Sequence, residues 1–116
     1  MARLVGYDTV YRNPDEFNET VGDVVESLLD ANDLEPEDVD AYWVDEAFAV
    51  QSVYVVERVG IPRDPINPRG GAVAFGHPIG ASGGMLAASL AFREEDLEYG
   101  LLGISGGGAI MSLWQR

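Results

Sequence analysis

Apolar and polar positions change period several times along the chain, and each change marks an element. Arg3 to Tyr11 has the β-branched and aromatic content of a strand, closed by the turn residues Arg12-Asn13-Pro14-Asp15. Val21, Val24, Val25, Leu28 and Leu29 then recur at helical spacing behind Thr20 and Asp23, which fit a capping box. That pattern predicts an amphipathic helix of about three turns. A loop from Asn32 to Asp38 leads into Val39-Asp40-Ala41-Tyr42-Trp43-Val44, an apolar run of strand length. A second helix is expected from about Glu46 to Arg58, stopped by Gly60 and Pro62. Asn67 to Gly71 reads as a bend, Ala72 to Phe75 as a short strand of small and apolar residues, and Met85 to Phe92 as an apolar helix. After an acidic loop around Glu94 to Glu98, Leu101 to Ser105, the Gly106-Gly107-Gly108 turn and Ala109 to Trp114 read as a hairpin.

The predicted order is β-α-β-α-β-α-β-β over one domain, residues 1–116. Strands alternating with helices imply an α/β fold with a mostly parallel five-stranded sheet, and the final hairpin would make one edge strand antiparallel. Ligands gather at the carboxyl ends of strands in such sheets. Three features are expected there: Asp45-Glu46-Ala47-Phe48, Gly76-His77, and Ser105-Gly106-Gly107-Gly108.

Charge narrows the range of partners. Twenty acidic residues face seven basic ones, all arginine, for a formal charge of -13. A phosphate footprint needs a basic patch, so no nucleic acid and no anionic membrane surface is expected as partner. Acidic residues spread over a folded surface suit a halophilic protein, because concentrated salt shortens charge repulsion to a few Å. Cysteine is absent, which removes disulfides, a thiolate nucleophile and any cysteine metal site; with one histidine, no metal site is expected. No signal-like segment opens the chain and no apolar run is long enough to span a bilayer, so the expected compartment is cytoplasmic.

Candidate chemistry centres on Gly76-His77-Pro78-Ile79-Gly80-Ala81-Ser82-Gly83, where the single histidine sits on a glycine-rich turn before a helix. Backbone N–H groups at such a turn can face an anion or a developing oxyanion. Histidine suits proton transfer near neutral pH, and it is equally suited to a packed structural role. Gly80 to Gly84 and Gly103 to Gly107 both match G-x-S-x-G, but His77 precedes both serines, which does not fit the hydrolase order. Ser82 reads as a cap of the helix that follows. Asp45 reads as an N-cap of the second helix, as a site residue at the sheet edge, or as both. Phe48, one turn on, reads as core by default or as the wall of an acyl pocket.

Three segments together resemble a known family. Asp45-Glu46-Ala47-Phe48-Ala49-Val50-Gln51, then Asn67 to Gly83 with its Gly-His-Pro, then Gly106-Gly107-Gly108 are similar to the three C-terminal motifs of thiolases, the acetyl-CoA acetyltransferase and 3-ketoacyl-CoA thiolase family. Ala2 to Tyr7 also resembles the first strand of that family's C-terminal domain, so the likeness covers the whole chain but only half of a thiolase. It implies an acyl-CoA acyltransferase site, with a coenzyme A thioester as substrate and no cofactor. The family's water-positioning asparagine falls on Asp45, and its oxyanion and base histidine falls on His77. Gly106 falls on a glycine whose N–H helps form a second oxyanion hole. Phe48, Gly76 and Pro78 would line the substrate.

The resemblance also implies what the chain lacks. The family's nucleophilic cysteine belongs to the N-terminal half and has no counterpart here. Its acid/base cysteine falls on Ile104, or on Ser105 if the register slips by one. Asp45 brings a negative charge to a place where an oxyanion would form. Two readings follow: a domain needing a thiolase N-terminal half or a homo-oligomer to complete the site, or a catalytically inactive binding or assembly module.

Overall fold

The computed structural model describes residues 2–92 and 97–116, so the acidic run Glu94-Glu95-Asp96 lies outside the described residues. Strand β1 spans Arg3–Val10 and helix α1 Thr20–Ala31, joined by a 3-10 turn over Pro14–Glu19. Strand β2 is Ala41–Val44 and helix α2 is Val50–Val59. A single helical turn, α3, covers Ala72–Phe75, and α4 covers Ser82–Ala91. Strands β3, Tyr99–Ser105, and β4, Ala109–Gln115, form the closing hairpin.

The sheet is mixed and has four strands in the order β1-β4-β3-β2. Only β2 and β3 pair in parallel; β4 runs antiparallel to both of its neighbours. This corrects the expected five-stranded, mostly parallel sheet in two ways. The antiparallel strand is internal, because β1 adds to the far side of β4 and leaves the hairpin in the middle. The expected strand at Ala72–Phe75 is a helical turn.

The reason for the second change lies on the outer edge of β2. Tyr42 N–H donates to Pro65 O at 2.7 Å, and Asn67 N–H donates to Tyr42 O at 2.8 Å, which makes a one-residue parallel bridge at Ile66. One step along, the Asn67 side chain does the work of a strand: Val44 N–H donates to Asn67 Oδ1 and Asn67 Nδ2 donates to Val44 O, both at 2.9 Å. All four edge groups of β2 are thereby satisfied. Residues 72–75 have no strand edge left to join.

Two packed layers cover the sheet unequally. On one face α1 buries Val21, Val24, Val25, Leu28 and Leu29 against Tyr42, Val44, Leu101, Met111 and Leu113, as the spacing predicts. The expected capping box does not form. Chain already in helical conformation runs into α1 from the 3-10 turn, so Thr20 Oγ1 donates back to Phe17 O and Asp23 pairs with Arg12. On the other face α4 lays Leu86 and Leu90 over Ala41 and Trp43, and Trp43 Nε1 donates to Ser89 Oγ at 2.9 Å. Among the described residues no helix lies over the β1–β4 half of this second face. Leu4, Tyr7, Ile104 and Ile110 are exposed there, Tyr7 at 71%.

Asn67→Ala removes both partners of the Val44 amide in a site where Asn67 itself is 8% exposed. Two backbone groups left unpaired cost roughly 2–5 kcal/mol together. Urea unfolding of the variant is expected to show that loss; a loss below about 1 kcal/mol, within the range of an ordinary surface change, would mean that water replaces the amide freely.

Candidate functional site

Asp45 follows β2 directly, and its backbone N–H donates to Gly103 O at 3.0 Å, one last rung of the parallel ladder. The chain then turns through Glu46 to Ala49 before α2 begins, four residues later than expected. Asp45 therefore does not cap α2, whose N-cap is Ala49. No side chain caps α2; the buried amide of Gln51 braces the approach to it, its Oε1 accepting from Phe48 N–H at 3.0 Å and its Nε2 donating to Ser105 Oγ at 2.7 Å. This bond links the end of β3 to the start of α2, on the same side of the sheet as Asp45.

Glu46 organises the approach to His77. Its Oε1 accepts from Ser52 Oγ at 2.8 Å, and its Oε2 accepts from Val73 N–H at 3.0 Å, anchoring α3 over the end of β2. Gly71 is obligatory here, since a Cβ would lie 2.5 Å from both Asn67 Nδ2 and Glu46 Oε2. The turn after α3 then needs Gly76, at φ 90 and ψ 162, a conformation essentially restricted to glycine. These steps deliver His77 to Asp45 from a helix-to-helix turn, not from the strand-to-helix turn that the sequence suggests.

His77 Nδ1 lies 3.2 Å from Asp45 Oδ1 and 2.8 Å from Ser82 Oγ. Ser82 Oγ is also 3.3 Å from Pro78 O. The Asp45 contact lies off the hydrogen-bond direction of the ring nitrogen. Asp45 Oδ1 therefore remains a buried oxygen with no hydrogen-bond partner among the described residues, close enough to attract the ring when the ring is protonated. Asp45 is 2% exposed, and this burial raises its pKa above the ordinary carboxylate value; His77 and the backbone N–H groups of Ser105 and Glu46 pull the other way without cancelling it.

Beside this pair is a cavity of about 90 Å³, lined on its polar side by Asp45, Ser82 and Ser89 and on its apolar side by Gly71, Phe75 and Met85. The third expected feature converges through Ser105, at the end of β3. Gly106 N–H is engaged within the turn, donating to Gly108 O at 2.7 Å. Phe48 is not core: it is 60% exposed and meets Phe17 edge-on at 6.4 Å. Ser82 does not cap α4, because its hydroxyl turns to His77 and Pro78 instead.

Sequence reasoning missed Asn67, Glu46 and Gln51 as organisers. Gln51 left a usable signal, a polar residue four positions before the fully buried Val55 on the inward face of α2. Among the described residues no group of acidic residues and histidine is arranged to hold a metal ion, and no helix is long and apolar enough to cross a membrane.

Comparison with known proteins gives the family. The family described as "Thiolase, C-terminal domain" matches residues 1–114. The acetyl-CoA acetyltransferase of Synechocystis is 34% identical over 118 residues, covering 97% of this chain and 30% of that enzyme. Among solved structures, the Acat5 thiolase of Ascaris suum in complex with coenzyme A superposes with a TM-score of 0.90 at 29% identity, over 100% of this chain and 31% of that one. The peroxisomal 3-ketoacyl-CoA thiolase of Saccharomyces cerevisiae, described as five layers built from two core domains of identical topology, gives 0.91 at 27%, over 100% and 34%. The chain thus spans about a third or less of the length of these relatives. It belongs to the thiolase family, in which it corresponds to the C-terminal domain.

Proposed function

We propose that this domain supplies one wall of a thiolase-type acyl-CoA acyltransferase site, with a thiolase N-terminal half supplying the nucleophilic cysteine. The observation that carries the reading is the meeting of Asp45 and His77, 3.2 Å apart beyond the end of β2, with Ser105 and Gly106 at the end of the neighbouring β3. In this reading His77 takes the proton of the cysteine that the N-terminal half supplies. The thiolate attacks the thioester carbonyl of an acyl-CoA, the C–S bond to coenzyme A breaks, and the departing coenzyme A thiolate takes the proton back from His77, leaving the acyl group on the cysteine. Gly76 and Pro78 hold the histidine against the substrate, and exposed Phe48 offers an apolar surface to the acyl or pantetheine chain. Gly106 stands at the second oxyanion position, where its N–H must leave Gly108 O to serve. The substrate is the coenzyme A thioester itself, and no cofactor is called for.

The half-covered sheet face supports a completing partner. Leu4, Tyr7, Ile104 and Ile110 lie open beside α4, and a helix from the other half would fill that space in the same layer. The yeast thiolase described as five layers from two like domains accords with this, the present chain forming a helix-sheet-helix unit. Completion by a second copy of this chain would bring no cysteine. The second reading, a catalytically inactive assembly module, draws on the Asp45 charge and on Ile104 at the acid/base position.

Mixing the chain with a thiolase N-terminal half is expected to give acetyl-CoA acetyltransfer that neither part gives alone. Robust activity of the isolated chain would overturn the proposal. His77→Ala is expected to lower the reconstituted rate by about 10²–10⁴-fold, the usual weight of an acid-base group. A complex that forms and works equally well with alanine there supports the assembly module instead.

Asp45 gives a pH-dependent test. Its raised pKa means that the folded state holds the proton more tightly than the unfolded chain does, so ionisation costs stability. That cost is absent below the carboxylate's ordinary range and grows as pH rises through the folded-state value. Asp45→Asn is therefore expected to raise Tm at pH 7, with the gain gone by about pH 3. Equal melting of the two proteins at pH 7 would contradict it. In the reconstituted site the same change is expected to raise kcat at least about tenfold, because a charge opposed to the oxyanion is replaced by a neutral amide.

A halophilic setting is the remaining part of the proposal. With a formal charge of -13, screening relieves self-repulsion. Tm is expected to climb as KCl rises from about 0.1 to 2 M, most steeply at the low end where the screening length shrinks fastest. A Tm that is flat over that low range would argue for an acidic protein of ordinary salt.

A further inference from the structure

The reading of His77 as a base leaves open which ring nitrogen carries the proton, and the residues behind the ring decide it. We infer that Ser82 is a positioning residue that, beside Asp45, fixes His77 as the Nδ1–H tautomer and leaves Nε2 as the free basic nitrogen. Two arrangements of the serine proton fit the distances. In one, Ser82 donates to a bare Nδ1, and the ring carries its proton on Nε2. In the other, Nδ1–H donates to Ser82 Oγ at 2.8 Å, and Ser82 passes its own proton to Pro78 O at 3.3 Å.

Asp45 separates them. Its Oδ1, buried and without another partner among the described residues, lies 3.2 Å from Nδ1. With Asp45 ionised, as at a pH above its raised pKa, a bare Nδ1 would set a nitrogen lone pair beside a carboxylate oxygen in a site of low polarity, where that repulsion is poorly screened. A proton on Nδ1 turns the same contact into an attraction, and the in-line bond goes to Ser82. Ser82 is 5% exposed, so its hydroxyl must find both a donor and an acceptor within the protein. The second arrangement gives it both, His77 as donor and Pro78 O as acceptor.

Ser82 holds this place because of where it stands in the chain. It opens α4 five residues after His77, and Pro78 bends the intervening turn so that Ala81 N–H and Ser82 N–H both donate to Pro78 O, at 2.7 and 2.9 Å. That carbonyl is thereby fixed beside the serine hydroxyl. The serine that the sequence presents as a helix cap is an acceptor for the imidazole.

The catalytic meaning of a free Nε2 rests on the acyl-CoA reading, but the tautomer does not, so the two fail separately. His77 is the only histidine, which makes one imidazole visible in a long-range 1H–15N correlation spectrum of ring-labelled protein. Above the imidazole's titration the pyridine-type nitrogen is expected to be Nε2. Ser82→Ala is expected to shift the tautomer ratio toward Nε2–H by about tenfold, the weight of one ordinary hydrogen bond, and Ser82→Thr to restore the parent spectrum. A parent spectrum with its pyridine-type nitrogen at Nδ1 overturns the inference, and so does a folded Ser82→Ala protein with an unchanged ratio. Should the alanine variant not fold, Ser82→Cys, with similar volume and a weaker acceptor, takes its place under the same criteria. Reconstituted activity without the expected tautomer would leave the acyl-CoA reading standing and this one refuted.

Discussion

A side-chain amide standing in for a strand holds the functional end of this domain together. Asn67 meets both the N–H and the C=O of Val44 with one planar group, in the place where a further strand would put two backbone groups. The geometry asks for an unusual backbone, φ 45, which asparagine tolerates better than most residues. It also fixes the level at which β2 ends. With Val44 paired on its outer edge, Asp45 is the first residue free to turn its side chain to a site, and Gly70 N–H bonds back to Asn67 O at 2.7 Å to begin the turn toward α3. One residue thus ends a strand, starts a loop and sets the depth of the aspartate.

From there the site is built by carboxylates with different tasks. Glu46 is spent on structure, since both of its oxygens are bonded, one to Ser52 and one to the start of α3. Asp45, its neighbour, has an oxygen with no such bond and is driven toward its protonated form by burial. Two adjacent acids in one turn therefore differ in kind: the first keeps an unbonded oxygen beside an imidazole, and the second is a strut. This is the separation of environments through which acidic residues acquire chemical roles in a protein.

Much of this was legible in the sequence, and the limits have physical causes. Helix α1 and the β3–β4 hairpin were readable because their apolar positions keep one period throughout. The motif residues Asp45, His77 and Ser105 were readable as neighbours even though one of the supposed strands does not exist. What failed was local. Ala72-Val73-Ala74-Phe75 has a composition that suits a strand, but strands need a partner edge, and the edge was already filled by Pro65 and Asn67. No local propensity encodes that competition. Thr20, Asp45 and Ser82 all look like caps, and none caps a helix. Thr20 follows a 3-10 turn that already runs into α1, Asp45 stands ahead of α2, whose N-cap is Ala49, and Ser82 is claimed by an imidazole.

The same competition explains why the histidine is held where it is. A ring on a glycine-rich turn would ordinarily sample several orientations, and entropy would favour that freedom. Here the ring nitrogen nearest the protein faces a buried serine and a buried aspartate, while Pro78 and the two amides that bond its carbonyl stiffen the chain beneath. The cost of leaving the buried serine without its imidazole partner opposes that freedom. His77 is accordingly oriented by groups of its own domain.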